Sequence, residues 1–290
     1  MPELPEVHAL VADLRGRLIG RRVARLDVVA FAALKTYDPP VSALEGREIT
    51  GVERHGKFLD LVAAGDDGDL HLVIHLARAG WLRWRAAAPA PLKRGGGPLA
   101  ARLVLEDDGS GFDLTEAGTK KSLAIWVVRD PAEVERVKTL GPDPLADEFT
   151  EEVFAGILAA AGRSQIKGVL RDQRLIGGIG NAYSDEILHV AKMSPFKPAS
   201  MDAHDVHTLY VAMRETLSDA VARSEGLAAS ELKGEKKSNL RVHGRFGEAC
   251  PVCGDTIRQV IYSDSTFQYC PTCQTGGKPL ADRVLSRLLK

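Results

Sequence analysis

The chain has 290 residues, 44% of them hydrophobic and 27% charged, which is the composition of an ordinary soluble globular protein. This length predicts two domains with separate cores, and a net charge of −1 predicts no overall attraction to nucleic acid, so any basic surface must be local. Because no apolar run approaches the roughly 18 residues of a membrane span and no basic-then-apolar leader is present, we expect a cytoplasmic protein without membrane contact.

The chain opens with Met-Pro-Glu-Leu-Pro-Glu-Val, followed by an amphipathic pattern. If Met1 is removed, Pro2 carries a terminal amine with a pKa of about 8, so a sizeable fraction is unprotonated at neutral pH. Such an amine can attack an aldehyde carbon and form an iminium, with Glu3 beside it as a candidate acid or base. Pro5 opens a predicted helix whose apolar residues recur at helical spacing as far as Leu18. These residues alone also fit an ordinary frayed terminus ahead of a helix.

This opening resembles the amino terminus of the formamidopyrimidine-DNA glycosylase and endonuclease VIII family, in particular its formamidopyrimidine branch. The resemblance implies a DNA glycosylase with abasic-site lyase activity that acts on damaged double-stranded DNA. It also implies that Pro2 is the Schiff-base nucleophile and that Glu3 assists proton transfer at the sugar. Glu6 is expected to order the terminus or to bind near the base. We expect the protein to act as a monomer associated with DNA.

Apolar, β-branched segments follow the first helix, and turn residues separate them at the short spacing of an antiparallel sandwich or barrel. Residues 86–98 form a low-complexity loop, and a second helix is predicted from Pro131 through Leu140. The predicted strands lie at approximately 22–31, 47–53, 58–63, 70–77, 101–106 and 122–129.

Two short motifs in this predicted sheet resemble family positions that contact phosphates. Arg-His-Gly-Lys at 54–57 suits a tight hairpin, and the resemblance assigns Lys57 to a phosphate beside the lesion, at the catalytic site. A hairpin lysine can equally be only solvated. Val-Ile-His-Leu at 73–76 resembles the family's Ile-His-Leu strand and makes His75 a candidate phosphate contact, although a strand histidine can also be purely structural.

From Thr150 the apolar periodicity becomes helical. A Gly-Gly-Ile-Gly-Asn turn at 177–181 separates two helices; glycines let a backbone approach a phosphate closely, but they also commonly serve packing. The run Ile166–Glu186 has the spacing of the family's helix–two-turn–helix element, whose asparagine grips the phosphate flanking the flipped nucleotide. The resemblance assigns this contact to Asn181, predicted as a helix N-cap, and makes Lys167 a second candidate.

Basic residues are densest between Lys233 and Arg245, where Glu235 is the single acidic residue. Alone, this run indicates a solvated, mobile linker. Beside the other phosphate candidates, we interpret it as a DNA-facing loop. Arg245 also lies in a Val-x-Gly-Arg-x-Gly-Glu segment that resembles the family, and we count it as a DNA-binding candidate.

The four cysteines form two Cys-x-x-Cys pairs with 16 residues between them. This spacing is typical of a tetrahedral four-thiolate zinc site, and disulfides are the weaker alternative in a cytoplasmic chain. A closed four-cysteine site has no open coordination position, so we predict one structural Zn²⁺ that folds a ribbon and does no chemistry. The predicted ligands are Cys250, Cys253, Cys270 and Cys273.

Three positions depart from the family's pattern. Family members fill the gap left by the extruded base with a methionine on one loop and an Arg-Phe pair on another. Here Arg78 stands at the first position, and the second loop, 115–121, holds Lys120 and Lys121 without an Arg-Phe pair. Ser265 stands where the family has a ribbon arginine aimed at the lesion's phosphate. We count Arg78 as a candidate DNA contact and expect weak discrimination of the opposite base.

The sequence therefore predicts an α+β protein with a bifunctional DNA glycosylase and lyase activity. Two alternatives stay open: an abasic-site lyase or lesion binder without efficient base excision, and a non-catalytic zinc-ribbon nucleic-acid-binding protein. The predicted domains are a catalytic antiparallel β-sandwich with its amino-terminal helix (1–130), a helix and linker (131–149), a helix–two-turn–helix domain (150–240) and a zinc ribbon with a tail (241–290).

Overall fold

Two compact units make up the chain, and the computed structural model describes residues 1–87, 97–261 and 266–280. The first unit comprises Met1–Leu140 with Ser224–Lys233, and the second comprises Gly141–Arg223 with Gly234–Lys290. The α+β class is confirmed, with antiparallel sheets in the first unit and helices with a small ribbon in the second. Within the described ranges, no helix combines the length and the hydrophobicity that a bilayer crossing requires.

Helix α1 (Leu4–Leu18) opens the first unit, with Glu3 as its N-cap and Pro5 in its first turn. The Glu3 N–H donates to Glu6 Oε2 at 2.8 Å, which is half of a capping box and satisfies a backbone donor at the helix start. One face of α1 is buried in the core of the unit, through Val7, Leu10, Val11, Leu14 and Leu18.

The first unit contains two four-stranded antiparallel sheets that share one hydrophobic core with α1. One sheet has the order β1-β6-β7-β5 and the other the order β2-β3-β4-β8. The strands are β1 (Val23–Val28), β2 (Glu48–His55), β3 (Phe58–Ala64), β4 (Leu70–His75), β5 (Gly80–Arg85), β6 (Leu99–Leu105), β7 (Gly111–Glu116) and β8 (Ala124–Val128).

Two of these strands, β5 and β7, were not among the predicted segments. Strand β7 carries Asp113, which is a poor strand residue in sequence terms but is buried here. Arg102 on the neighbouring strand donates to Asp113 at 2.6 Å, so the buried carboxylate is paired. The predicted helix over 131–140 is also interrupted: a 3₁₀ turn at Pro131–Glu133 precedes the short helix α2 (Glu135–Lys138).

The second unit is built mainly of helices around their own core. A two-stranded ribbon and a short helix follow them along the chain. The elements from residue 141 onward are α3 (Glu151–Ala161), α4 (Ile166–Arg171), α5 (Asn181–Val190), α6 (Ala203–Ser224), α7 (Leu232–Asn239), β9 (Arg258–Ile261), β10 (Thr266–Tyr269) and α8 (Pro271–Thr275). The first two residues of α7 belong to the first unit.

The basic run beginning at Lys233, predicted as a loop, is largely the helix α7. Two contacts explain why these residues become helical. Arg223 donates to Glu235 at 2.9 Å, and the Lys236 ammonium lies 4.5 Å from the centre of the Tyr183 ring. The stretch is therefore ordered by side-chain contacts that its composition does not reveal.

Residues 224–233, predicted to belong to the helical domain, pack in the first unit instead. The indole N–H of Trp81 donates to the Ala229 carbonyl at 2.9 Å, and Leu232 is fully buried in the first core. The Lys233 ammonium lies 4.4 Å from the centre of the Trp81 ring. A short apolar segment thus completes a core whose other residues precede Leu140 in sequence.

Candidate functional site

The amino terminus is held at a fixed place in the first unit. Pro2 is buried, and Glu3 and Glu6 are only 2% and 1% exposed. Because α1 begins at Leu4 and packs in the core, residues 2 and 3 have little freedom. The terminus is therefore not the frayed segment that the sequence left open, and both predicted carboxylates lie within one helical turn of Pro2.

Lys57 lies in the two-residue turn that joins β2 to β3. Gly56 has a φ of +55°, a left-handed conformation that suits glycine at this tight turn. His55 and Phe58 pair across the ladder on either side of the turn. Lys57 is only 8% exposed, so its stem is packed, unlike that of an ordinary solvated hairpin lysine.

His75 lies next to this turn, opposite Phe58 in the ladder, with ring centroids 4.6 Å apart. Burial, followed by the nearby charges of Arg136 and Lys57, lowers the pKa of His75 to about 3. The imidazole is therefore neutral at physiological pH, and its buried Nδ1 has no hydrogen-bond partner among the described residues. Arg136, whose guanidinium lies 5.6 Å from the centre of the Phe58 ring, was not singled out in the sequence.

Arg78 stands in the tight turn between β4 and β5. The Gly80 N–H donates to the Leu76 carbonyl at 2.9 Å, and a Cβ on Gly80 would lie 2.0 Å from that oxygen. Ala77 adopts a φ of +52°, which is uncommon for a residue with a side chain. Arg78 itself is exposed. The turn therefore presents an arginine at the surface of the unit.

The loop at 115–121, which lacks an Arg-Phe pair, is hydrogen-bonded to the end of strand β7. Glu116, buried at the end of β7, accepts the N–H groups of Ser122 at 2.7 Å and Leu123 at 3.0 Å. The Lys121 ammonium donates to the Glu116 carbonyl, and Lys120 is exposed. The other predicted departure, Ser265, and residues 88–96 of the predicted low-complexity loop lie outside the described residues.

In the second unit, Gln173 fixes the glycine-rich turn before α5. Its Oε1 accepts the Gly178 N–H at 3.0 Å, and its Nε2 donates to the carbonyls of Ile179 at 2.7 Å and Arg171 at 2.8 Å. One side-chain amide thus makes three hydrogen bonds to backbone groups, one before the turn and two within it. The turn is consequently shaped by a residue that precedes it in the chain.

Asn181 was predicted as the N-cap of α5, but the N-cap is Gly180 and Asn181 is the first helical residue. The Asn181 Nδ2 donates to the Thr266 carbonyl at 2.6 Å, which ties the helix start to β10. Its Oδ1 is buried and has no hydrogen-bond partner within the described ranges. Within the second unit, the Asn181 side chain therefore donates one hydrogen bond through its Nδ2.

Lys167 is only 5% exposed and lies in a buried polar network beneath this turn. Its ammonium lies 2.6 Å from Asp185 Oδ1 and 2.7 Å from Ser184 Oγ. The second Asp185 oxygen lies 2.7 Å from His243 Nδ1 and accepts the Gln268 N–H at 3.2 Å. Asp185, which the sequence analysis did not single out, thus connects α4, α5, the segment before the cysteines and β10.

A second buried carboxylate acts on the same segment. Glu186 accepts the N–H groups of Arg241 at 2.7 Å, Val242 at 3.0 Å and His243 at 2.8 Å. Burial raises the pKa of Glu186 even though these hydrogen bonds oppose the shift. Arg245, the predicted DNA contact further along, pairs with Glu248 at 2.8 Å.

The four cysteines converge, with all their sulfur atoms within 4.8 Å of one another. The Sγ atoms of Cys253 and Cys270 are 3.3 Å apart, and those of Cys250 and Cys273 are 3.9 Å apart. A tetrahedral site with Zn–S bonds of about 2.3 Å requires S···S separations of about 3.8 Å, so this donor set fits zinc. His189 Nε2 lies 3.3 Å from Cys250 Sγ, and burial lowers the pKa of this imidazole to about 4.

Comparisons with known proteins agree with this architecture. Family models of the formamidopyrimidine-DNA glycosylase N-terminal domain and of its H2TH domain match residues 1–121 and 140–231. The formamidopyrimidine-DNA glycosylase of Thermus thermophilus is 34% identical over 290 residues, covering 96% of this chain and all of the relative. A formamidopyrimidine-DNA glycosylase-like protein of Mycobacterium tuberculosis is 59% identical over 154 residues, covering 53% of this chain and 96% of that protein.

Solved structures show the same similarity. MutM in complex with DNA containing carbocyclic 8-oxo-G superposes with a TM-score of 0.81 at 26% identity, covering 94% of this chain and 100% of MutM. The MutM (Fpg) protein of Thermus thermophilus gives a TM-score of 0.78 at 32% identity, with coverage of 96% and 100%. The resemblance inferred from the sequence is confirmed over nearly the full length. The chain belongs to the formamidopyrimidine-DNA glycosylase family.

Proposed function

We propose that this member of the family is a bifunctional DNA glycosylase and abasic-site lyase of base-excision repair, acting as a monomer on damaged duplex DNA in the cytoplasm. The observation that carries the proposal is the fixed, buried position of Pro2 directly before α1. A secondary amine held in this way after removal of Met1 loses little conformational freedom when it attacks a sugar carbon.

In the first chemical step, the Pro2 nitrogen forms a bond to C1′ of the damaged nucleotide, and the bond from C1′ to the base breaks. The departing base takes the bonding electrons and a proton, and the nitrogen loses its own proton. Glu3 then gives a proton to O4′ as the sugar ring opens, which leaves an iminium between the Pro2 nitrogen and C1′.

In the second step, the iminium acidifies C2′. Loss of a C2′ proton moves electrons toward C3′, and the 3′ phosphate leaves with the C3′–O bonding pair, which is a β-elimination. Water then hydrolyses the iminium and restores the amine. Nucleophile and acid are adjacent in sequence and both buried, which suits chemistry on a nucleotide extruded from the stack.

DNA binding is assigned to groups in each unit. In the first unit, Lys57 and Arg136 supply cations beside neutral His75, a combination that suits a phosphate. In the second unit, Asn181 and Arg245 are the candidate contacts. The pairing of Arg245 with Glu248 is at the surface and can exchange for a phosphate at little cost.

Three predicted contacts need a closer definition of their roles. Lys167 is held by Asp185, so we assign it to positioning the turn before α5 and not to direct phosphate contact. Glu6 orders the terminus through the Glu3 N–H, and we assign the exposed Arg78 to the gap left by an extruded base. A guanidinium plane can stack against bases, which an ammonium cannot do.

The four cysteines would hold one structural Zn²⁺, whose binding supplies folding energy to the ribbon and no reaction chemistry. Four thiolates fill the tetrahedral coordination sphere, so no position would remain for water or substrate. His189 Nε2, 3.3 Å from Cys250 Sγ, would donate to that thiolate and orient it, as outer partners of zinc ligands commonly do.

Borohydride trapping on DNA tests the nucleophile. Protein with a processed amino terminus should become covalently linked to abasic-site DNA and to DNA with an intact damaged base. An uncleaved amino-terminal tag converts the Pro2 amine to an amide and should abolish trapping while DNA affinity is retained. The matched control carries the same tag at the carboxyl terminus and should trap normally.

The outcomes separate the three functions. Full trapping by the amino-terminally tagged protein would exclude Pro2 as the nucleophile. Trapping on abasic DNA alone would identify a lyase without base excision, and no trapping with retained DNA binding would identify a non-catalytic nucleic-acid-binding protein. A Glu3→Gln variant should slow the reaction by roughly 10²–10⁴-fold, the usual contribution of a general acid or base.

One observation favours the second candidate, an abasic-site lyase or lesion binder with inefficient base excision. The loop at 115–121 has no Arg-Phe pair, and Glu116 ties it to the backbone of Ser122 and Leu123, so Lys120 and Lys121 are the cations it offers. Lysine is a flexible, strongly hydrated charge that reads bases poorly. We therefore expect weak removal of 8-oxoguanine opposite cytosine and better cleavage of abasic or already unstacked sites. Efficient, strongly cytosine-dependent removal would contradict this.

A further inference from the structure

A buried carboxylate lies between two histidines in the first unit, and the proposed reaction uses none of the three. Asp60 is fully buried (0% exposed) in the middle of β3. Its Oδ2 lies 3.0 Å from His55 Nε2 and 3.0 Å from His71 Nδ1. Glu53 is directly opposite Asp60 in the β2–β3 ladder.

The pairing of the strands explains why these side chains meet. Glu53 and His55 are two residues apart on β2, so both face the same side of the sheet. Asp60 stands opposite Glu53, and His71 on β4 stands opposite Val62, two residues from Asp60. Three adjacent strands thus direct polar side chains onto one patch of a face that also includes Phe58, Val73 and Val128.

We propose that Glu53, His55 and Asp60 bind a divalent transition-metal ion of the Zn²⁺ type, with His71 hydrogen-bonded to Asp60 as an outer partner. One ligand atom from each of the three lies within 4.8 Å of the others. Besides the four cysteines, this is the one such convergent group within the described residues. One imidazole and two carboxylates are a suitable donor set, and three protein ligands leave a coordination position for water.

The arrangement of charge suits a cation. Glu53 and Asp60 are carboxylates directly opposite each other in the β2–β3 ladder, and Asp60 is fully buried. Like charges directly opposite in a sheet are destabilising, and a dication bound between them would offset their repulsion.

The ion would hold strands β2 and β3 together beside their turn. His55 is two residues before Lys57, so a metal bound there braces the strand end that leads into this turn. The metal must take the Nε2 lone pair of His55, so its binding displaces any proton on that nitrogen. The competing arrangement is a hydrogen-bonded His–Asp–His group without a metal. The two arrangements differ in the number of metal ions bound per protein beyond the ribbon zinc.

The test is Co²⁺ titration of the full-length protein after its ribbon has been loaded with zinc and free metal removed. Calorimetry counts binding equivalents, elemental analysis monitors loss of ribbon zinc, and absorption distinguishes the sites because thiolate ligands give near-ultraviolet charge-transfer bands. We expect one equivalent of Co²⁺ without thiolate bands and with no loss of zinc. No added equivalent, or one that appears only as zinc leaves the cysteines, overturns the proposal.

Variants locate the ion. His55→Gln and Glu53→Gln are at partly exposed or exposed positions and should abolish the added equivalent while retaining the wild-type circular dichroism. His71→Phe removes the outer hydrogen bond and should weaken Co²⁺ binding by about 10- to 100-fold. The control is His207→Gln, because His207 pairs with Glu151 at 2.8 Å on an exposed surface, and among the residues that the structure describes no third metal-binding side chain converges on this pair. Retention of the equivalent in His55→Gln, or its loss in His207→Gln, overturns the assignment.

Discussion

The Gly56–Lys57 turn and the Gly177–Asn181 turn carry candidate phosphate-binding side chains, one turn in each unit. Different interactions stabilise the two turns. The first is a hairpin between paired strands, where Phe58 packs on His75 and Arg54 donates one side-chain hydrogen bond to the Gly56 carbonyl at 3.2 Å. The second joins two helices and depends on side-chain hydrogen bonds from Gln173 and on the buried pair of Lys167 with Asp185.

This difference has an energetic consequence. Strand pairing and apolar packing distribute the stabilisation of the first turn over many small contacts. In the second turn, a few buried polar groups carry it, and each becomes costly when its partner is removed. Single substitutions of polar residues should therefore damage the second turn more than the first.

The largest effect is expected for Asp185→Asn. It leaves the buried Lys167 ammonium without its counter-charge and should lower the free energy of unfolding by about 3–5 kcal/mol. Chemical denaturation measures the change. Asp172→Asn is the matched control, because its partner Arg174, 2.8 Å away, is largely exposed and this pair should contribute less than about 1 kcal/mol. Equal effects of the two substitutions would show that the buried network is not what holds this turn.

The pH dependence of the first turn should come from His75. Its folded-state pKa of about 3 lies below an unfolded value of about 6.5, so the unfolded chain binds one more proton between these values. The contribution of neutral His75 to the free energy of unfolding is therefore fully present above about pH 6.5. It falls by about 1.4 kcal/mol per pH unit as the pH decreases toward 3. His75→Gln should reduce the slope of unfolding free energy against pH, between about pH 3 and 6.5, by about 1.4 kcal/mol per pH unit, the equivalent of one bound proton. An unchanged slope would mean that His75 is protonated in the folded state.

A smaller effect is expected for Gln173→Ala. Loss of its hydrogen bonds should cost about 1–3 kcal/mol and leave Gly178 without its acceptor. Hydrogen exchange at the Gly178 amide should accelerate, whereas exchange at the Phe58 amide in the first turn should not change. Acceleration at both amides would indicate global destabilisation instead of local loosening.

The smallest effect is expected for Arg245→Ala. Its surface pair with Glu248 should add less than about 1 kcal/mol to stability. If Arg245 contacts a phosphate, the slope of log affinity against log salt concentration should fall by about 0.9. Glu248→Ala frees the same arginine and should leave that slope unchanged or increase it. An unchanged slope in Arg245→Ala would remove this residue from the DNA interface.

Whether a feature could be predicted from the sequence depended on whether its partners are near or far along the chain. The first helix, the Gly56 turn and the paired cysteines depend on residues close together in the chain, and they were predicted from local spacing. The family and the α+β class were likewise predicted and confirmed. The individual roles of Pro2 and Lys57 stay predictions.

The features that escaped prediction depend on distant partners. Strand β7 was missed because Asp113 is paired with Arg102 on another strand. Asn181 was misplaced by one helical position, and its Thr266 contact lies 85 residues away. Asp185 has no sequence signal, because its function in the network follows only from what surrounds it in space. Long-range pairing therefore limits what sequence periodicity can reveal.

The burial of Ala229 and Leu232 in the first core also bears on how the chain is made. A ribosome adds about 5–20 residues per second, so residues 141–223 delay completion of that core by roughly 5–20 s. During this interval the nascent sandwich exposes the apolar surface that Leu232 will cover, with Trp81 still lacking its acceptor. Completion of this core during synthesis therefore depends on residues from the carboxyl-terminal half, and release of the chain before residue 232 should leave that apolar surface uncovered.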